Sequence, residues 1–263
     1  MNAMLKKAIE VNLRIGITMS AETYLQQAVE TLQRVAREQK DNLASAADLL
    51  VEAVLAEHTL FSFGASHSFM ITEELVYRTG GLMIVNPIYP HGMNFSVRPI
   101  TMTSQLERLP GLGKELLANS PARKGDVLIL TSTSGRNAVA IDMAIHAQES
   151  GIKVIGITSL AYTNSVTSRH PSGKKMLDFC DVVLDNGAPS GDAVVEIPGF
   201  SQRVGPVSTI TGCAMVNALA AEIVARMVQA GVEPPVFMSA NLDGGDEHNA
   251  RQFAKNQDRI HYL

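Results

Sequence analysis

Only two cysteines, Cys180 and Cys213, occur among the 263 residues, and each falls in an apolar stretch. That is too few for a disulfide framework, so buried thiols in a reducing compartment are expected. Charge of one sign is not in excess: the formal net charge is -4, which gives no basic stripe on which to expect nucleic acid. No apolar run is long enough and clean enough to span a bilayer. The most apolar segment, residues 213–228, is interrupted by Asn217, Glu222 and Arg226. Lys6 and Lys7 precede a mixed stretch instead of an apolar one, so no secretory signal is read. A cytoplasmic location with no membrane partner is the expectation. No G-x-G-x-x-G fingerprint with a later acidic residue for a ribose is present, which argues against a dinucleotide site. No His/Cys/Asp spacing makes a metal site, so neither a metal nor another cofactor is expected. Residues before Met19 match no motif.

What remains is a globular composition, with 46% hydrophobic, 18% charged and 5% aromatic residues. Ser20 reads as a helix N-cap, and Leu25, Ala28, Val29, Leu32, Val35 and Ala36 follow helical spacing to about Gln39. Asn42 restarts the pattern, with Leu43, Ala46, Ala47, Leu50 and Val54. From residue 59 the texture becomes strand and helix in alternation. Strands are expected at 59–64 (TLFSFG), 82–85, 126–130 (DVLIL), 153–158 (KVIGIT) and 181–184 (DVVL). Helices are expected after the first strand through Glu74 to Tyr77, at 138–150 and at 206–230. The strands are continuous apolar runs, as in a parallel sheet covered on both faces. The chain therefore predicts one doubly wound α/β domain over residues 20–257. Two N-terminal helices (20–57) precede a parallel five-stranded sheet, and a helical tail (238–263) follows it.

Two loops carry chemistry. Residues 131–137 (TSTSGRN) lie between a buried strand and a helix start, where free N–H groups and the positive end of the helix dipole suit a phosphate dianion. Hydroxyls at Ser132, Thr133 and Ser134 add donors, and Gly135 lets backbone approach closely. Residues 61–68 (FSFGASHS) repeat the arrangement, and both loops leave the carboxyl edge of the sheet.

Together GASHS and STSGRN resemble the sugar-isomerase (SIS) domain of phosphosugar isomerases and regulators. Such domains occur in phosphoheptose isomerase, in the isomerase half of glucosamine-6-phosphate synthase and in N-acetylmuramic acid 6-phosphate etherase. The resemblance implies that Ser66, Ser132, Ser134 and Asn137 contact the phosphate, with Thr133 and Gly135 contributing backbone. His67 and Ser68 lie in the same loops and are expected to line the site. Glu73-Glu74-Leu75 resembles the segment of phosphoheptose isomerase whose second glutamate is the base, which makes Glu74 the candidate and Glu73 its alternative. A carboxylate suits proton removal beside a sugar carbonyl, the first step of both isomerisation and etherase-type elimination.

The pattern departs from the heptose isomerase in one respect. No histidine lies in 206–230, where that enzyme carries a catalytic one at a place near Gly212. The tail instead offers His248, in the first turn of a helix starting at Asp246, where the dipole keeps imidazole neutral enough to shuttle a ring hydroxyl proton. The neighbouring subunit is a source for such a histidine in the resembled synthase. His58, His146 and His261 read as solvated, and Lys174 and Lys175 as a solvated pair. The expected partner is a sugar phosphate or amino-sugar phosphate, bound by a homodimer or homotetramer. Either an enzyme or a non-catalytic phosphosugar sensor fits these residues.

Overall fold

Alternation within the buried strands decides how the layers form. The computed structural model describes residues 19–263. In the strand Val127–Thr131, Val127 and Ile129 face one apolar core, while Leu128 and Leu130 face another. A strand buried on both sides needs helices on both sides, and these are present. Helices α1 (Ser20–Glu38) and α2 (Lys40–Leu55) come first. The sheet strands are β1 (Leu60–Gly64), β2 (Val85–Pro87), β3 (Val127–Thr131), β4 (Lys153–Thr158) and β5 (Val182–Asp185). Their order is β2-β1-β3-β4-β5, and every pairing is parallel.

One face is covered by α2, by α3 (Phe69–Leu75) and by the long helix that ends the crossovers. The other carries α5 (Leu112–Ala118) and α6 (Ala138–Glu149), with a short α4 (Met102–Leu106) leading into α5. After α7 (Leu160–Ser165) and β5, a hairpin of β6 (Ala193–Val195) and β7 (Val204–Pro206) leads into α8 (Ser208–Gln229). The last helix is α9 (Gly245–Asn256). By length and composition α8 resembles a membrane span, but its buried face, including Met215, Leu219 and Ile223, is part of the first core.

Several expectations need correction. The second strand is Val85–Pro87, not 82–85. Leu82 instead makes an isolated antiparallel bridge to Val236. Pro87 is tolerated because β2 is an edge strand whose outer side needs no N–H. Helix α3 stops at Leu75, before Tyr77, which sits at φ 51°. Met19, and not Ser20, is the N-cap of α1. Helices α4, α5 and α7 and the β6–β7 hairpin have no counterpart in the sequence reading. Their apolar periods are too short to register.

Candidate functional site

Strand order locates the crevice. The chain crosses from β1 to β2 on one side and then back over β1 to β3, so the switch point lies between the carboxyl ends of β1 and β3. Gly64 and Thr131, the last residues of these strands, stand in register. A cavity of about 350 Å³ opens there, at the small end of the ligand-site range.

The two predicted loops wall this cavity. Ser66, His67 and Ser68 line it from β1, and Ser132, Thr133, Ser134 and Asn137 from β3. The GASHS turn needs glycine, because a Cβ at Gly64 would stand 2.3 Å from the Ser68 carbonyl oxygen. Gly135 lies behind the wall at φ 59°, its N–H donating to the Ser132 carbonyl at 3.1 Å. A Cβ there would meet Thr163 Oγ1 at 3.1 Å and Thr158 Oγ1 at 3.3 Å. The turn is tightened further by Thr158, which donates to the Thr133 carbonyl at 3.2 Å. Among the described residues, the hydroxyls of Ser132, Thr133 and Ser134 and the N–H groups of Thr133 and Ser134 have no internal partner. The buried Thr131 hydroxyl at the cavity wall also has none. Polar groups left open at a crevice are groups kept for a ligand or solvent.

Ser66 and Asn137 are differently placed. Both donate to Glu107, which follows α4 and also lines the cavity. Ser66 Oγ reaches Glu107 Oε1, and Asn137 Nδ2 reaches Oε2 at 2.8 Å. Asn137 is the N-cap residue of α6 by position, yet its side chain makes no cap bond. Its Oδ1 accepts from Arg169 Nη1 at 3.0 Å. The carboxylate thus occupies the donors that the resemblance assigns to phosphate, and leaves the 132–134 turn open.

A second acid, Asp192, lines the cavity from the far side. It accepts from Val207 N at 3.1 Å, Ser208 N at 2.8 Å and Ser208 Oγ at 2.6 Å, so it caps α8 from a distance. Sequence reading missed Glu107, Asp192, Tyr162 and Ser208. Glu107 sits in an unremarkable SQLERLPG stretch, and only the fold carries it to the crevice.

The predicted catalytic residues lie elsewhere in the chain. Glu74 accepts from Arg78 Nε at 3.1 Å and from Asn217 Nδ2 on α8 at 2.9 Å. Glu73 borders a small recess beside Pro87 and Tyr89. Neither lines the cavity, because α3 runs from the loop back along the sheet. His248 is in the first turn of α9, as expected, but its Nε2 faces the Val236 carbonyl at 3.0 Å. The tail contacts residues that precede strands: Arg259 donates to the His58 carbonyl, and Tyr262 to that of Met83. Val236 itself pairs with Leu82, ahead of β2, so His248 lies at the amino edge, opposite the cavity of its own chain.

Among the remaining candidates, His67 is exposed and meets Phe95 edge-on, with ring centroids 4.4 Å apart. His146 is not simply solvated, since its Nδ1 is buried without a partner. His58 lies over Gly125, 3.8 Å from Asp126. Lys175 donates to the Thr163 carbonyl, while Lys174 is exposed. Burial pushes the Cys180 thiol up to about 12, and desolvation also raises Cys213. Among the described residues, no group of three or more His, Cys, Asp or Glu side chains could hold a metal ion.

A parallel 2-1-3-4-5 sheet with hydroxyl-rich turns at its switch point defines a class, and comparison agrees with it. Residues 23–159 match the SIS domain, and the chain belongs to this sugar-phosphate-binding family. Within the family it is similar to UPF0309 proteins. One from Oceanobacillus iheyensis is 43% identical over 91% of this chain and 98% of the relative. Another, from Shouchella clausii, is 44% identical over 92% of this chain and 100% of the relative. The fold is similar to that of phosphoheptose isomerase from Neisseria gonorrhoeae, with a TM-score of 0.51 and 16% identity over 78% of this chain and 97% of that one.

Proposed function

We propose that the cavity binds a phosphorylated sugar and that the protein is an aldose–ketose isomerase or a related lyase. The observation that carries the reading is the open 132–134 turn at the switch point, with three hydroxyls and two backbone N–H groups free. A phosphate there receives donors without meeting a fixed negative charge on the same turn. The sugar then extends toward Ser66, His67 and Glu107. As the base, Glu107 takes the proton from the carbon beside the carbonyl. In isomerisation it returns that proton to the neighbouring carbon, and in elimination the electron pair expels the leaving group. Asp192 is less suited to this work, because three donors already hold it on α8.

A non-catalytic phosphosugar sensor is the second reading. It is favoured by the position of Glu73, Glu74 and His248, all outside the cavity of their own chain. Thermal-shift titration with glucose 6-phosphate and glucosamine 6-phosphate tests the shared binding step. A ligand at 100 times its dissociation constant should stabilise the fold by about 2.7 kcal/mol. Ser134→Ala should weaken that ligand by on the order of 1.5–3 kcal/mol, the value of a hydrogen bond to a charged acceptor. Unchanged affinity in both Ser134→Ala and Ser132→Ala would place the phosphate elsewhere. Exchange of solvent deuterium into bound sugar separates enzyme from sensor.

A further inference from the structure

Three arginines converge beside the cavity, although the chain as a whole is acidic. Arg136 lies between Gly135 and Asn137, Arg169 donates to Asn137 Oδ1 at 3.0 Å, and Arg108 follows Glu107. Their charges act on one another. Burial first, and then repulsion from Arg136 and Arg108, holds the Arg169 guanidinium below its usual range.

Among the described residues, none of the three forms an ion pair with a carboxylate. Arg136 Nε is buried with no hydrogen-bond partner, and its Nη2 has only Thr167 Oγ1 at 3.4 Å. Glu107, the carboxylate beside them, is engaged by Ser66 and Asn137. A buried guanidinium donor with no acceptor is unfavourable unless something supplies one.

The cluster is also held in place. His170 Nε2 lies 2.9 Å from Asp142 Oδ1 on α6, and Asp142 Oδ2 accepts from Gly111 N at 2.7 Å. The Arg169 N–H donates to the Arg136 carbonyl at 2.9 Å. The loop bearing Arg169 is thus fixed against the helix that the phosphate turn begins.

We propose that Arg108, Arg136 and Arg169 form a second anion subsite, so that the substrate is a sugar phosphate bearing another acidic group, a carboxylate or a second phosphate. The proposal rests on the phosphosugar reading and narrows it. None of the three arginines lines the cavity itself, whose wall passes from Ser134 to Asn137. They therefore serve a group that projects past Asn137, and not the phosphate on the turn. Guanidinium suits either acid, since its planar fork pairs with both carboxylate and phosphate oxygens.

Isothermal titration of the full chain decides the matter, with glucose 6-phosphate, 6-phosphogluconate, fructose 1,6-bisphosphate and inorganic phosphate as probes. We expect 6-phosphogluconate or the bisphosphate to bind tighter than glucose 6-phosphate by about tenfold or more, as charge-assisted pairing requires. Whichever of the two is preferred identifies the second group. Arg169→Met and Arg108→Met should each erode that preference. Arg108 makes no side-chain hydrogen bond among the described residues, so its variant controls for disturbance of Asn137 by the other. If glucose 6-phosphate binds and neither doubly acidic sugar is preferred, the subsite is overturned while the phosphosugar reading stands. A preference that survives both variants has the same meaning. A preference lost between ~50 and ~300 mM salt would be long-range attraction, and also overturns it. If no probe binds, both readings fail together.

Discussion

Glu107 and Glu74 separate the site that the fold builds from the one that the EEL segment suggests. Glu107→Gln keeps the shape of the side chain but removes the proton acceptor. Deuterium exchange into a bound sugar phosphate should fall by roughly 10²–10⁴-fold, with ligand still bound. Glu74→Gln alters contacts to Arg78 and Asn217 on the flank of α3. It should therefore leave exchange much closer to the wild-type rate. The reverse order of effects would move the base to α3 and restore the assignment that the sequence resemblance implies. A second residue-scale outcome concerns the thiols. Because burial pushes Cys180 up to about 12, it should resist a thiol-specific reagent at pH 8 in the folded protein and react once denatured. Fast labelling of folded Cys180 would mean that the 176–180 segment opens. These side chains were only partly legible in sequence. The hydroxyls of 132–134 announce themselves by clustering next to a strand end. Glu107 is one acid among many until the chain reverses at Leu109-Pro110-Gly111 and brings it under Ser66.

At the scale of elements, the site depends on how closely α5 crosses α6. A Cβ on Gly113 would lie 1.9 Å from the Val139 carbonyl oxygen, so only glycine allows the two backbones to touch. The same crossing sets Glu107, whose carbonyl accepts from Val139 N at 3.1 Å. Gly113→Ala must push the helices apart, which should destabilise the fold by on the order of 1–3 kcal/mol, typical of overpacking. Denaturant unfolding measures that loss directly. Sugar-phosphate affinity should fall with it, because Glu107 and Asn137 shift together. Unaltered stability would mean that α5 can slide without consequence. Long buried strands and α1, α2, α6 and α8 were readable because their apolar periods run for many residues. Helices α4, α5 and α7 were not, since a helix of five to seven residues shows less than two turns of pattern; α3, equally short, was legible only from its place after the first strand's glycine-ended loop.

At the level of the whole molecule, α1, α2 and α8 present apolar surface that their own chain leaves uncovered. Leu32, Val35, Leu43, Met215 and Leu219 line a groove of about 500 Å³ between them. Leu25 and Val29, one turn apart on α1, are 64% and 47% exposed. Large apolar patches are rarely left open on monomers. We expect a homodimer or homotetramer assembled through these helices. Leu25→Glu combined with Val29→Glu should shift the mass measured by light scattering toward the monomer at micromolar concentration. A wild-type chain that is monomeric under those conditions overturns the assembly. Assembly also bears on His248, which lies at the amino edge and could approach a cavity only in another chain.

The sequence alone determined the layer architecture and the hydroxyl-rich turn after β3, because both follow from local rules. Apolar runs of the right length make buried strands, and a cluster of Ser, Thr and Gly after a strand makes an open helix start. Tertiary structure alone decided which acids line the crevice and which arginines stand beside it. Glu107, Arg169 and Asp192 come from three separate stretches of chain, each without a motif of its own, and only folding brings them beside the turn that carries Arg136. Their meeting depends on the direction of each crossover and on backbone contacts such as that at Gly113. A one-dimensional pattern records the period of an element but not the side of the sheet to which its ends return.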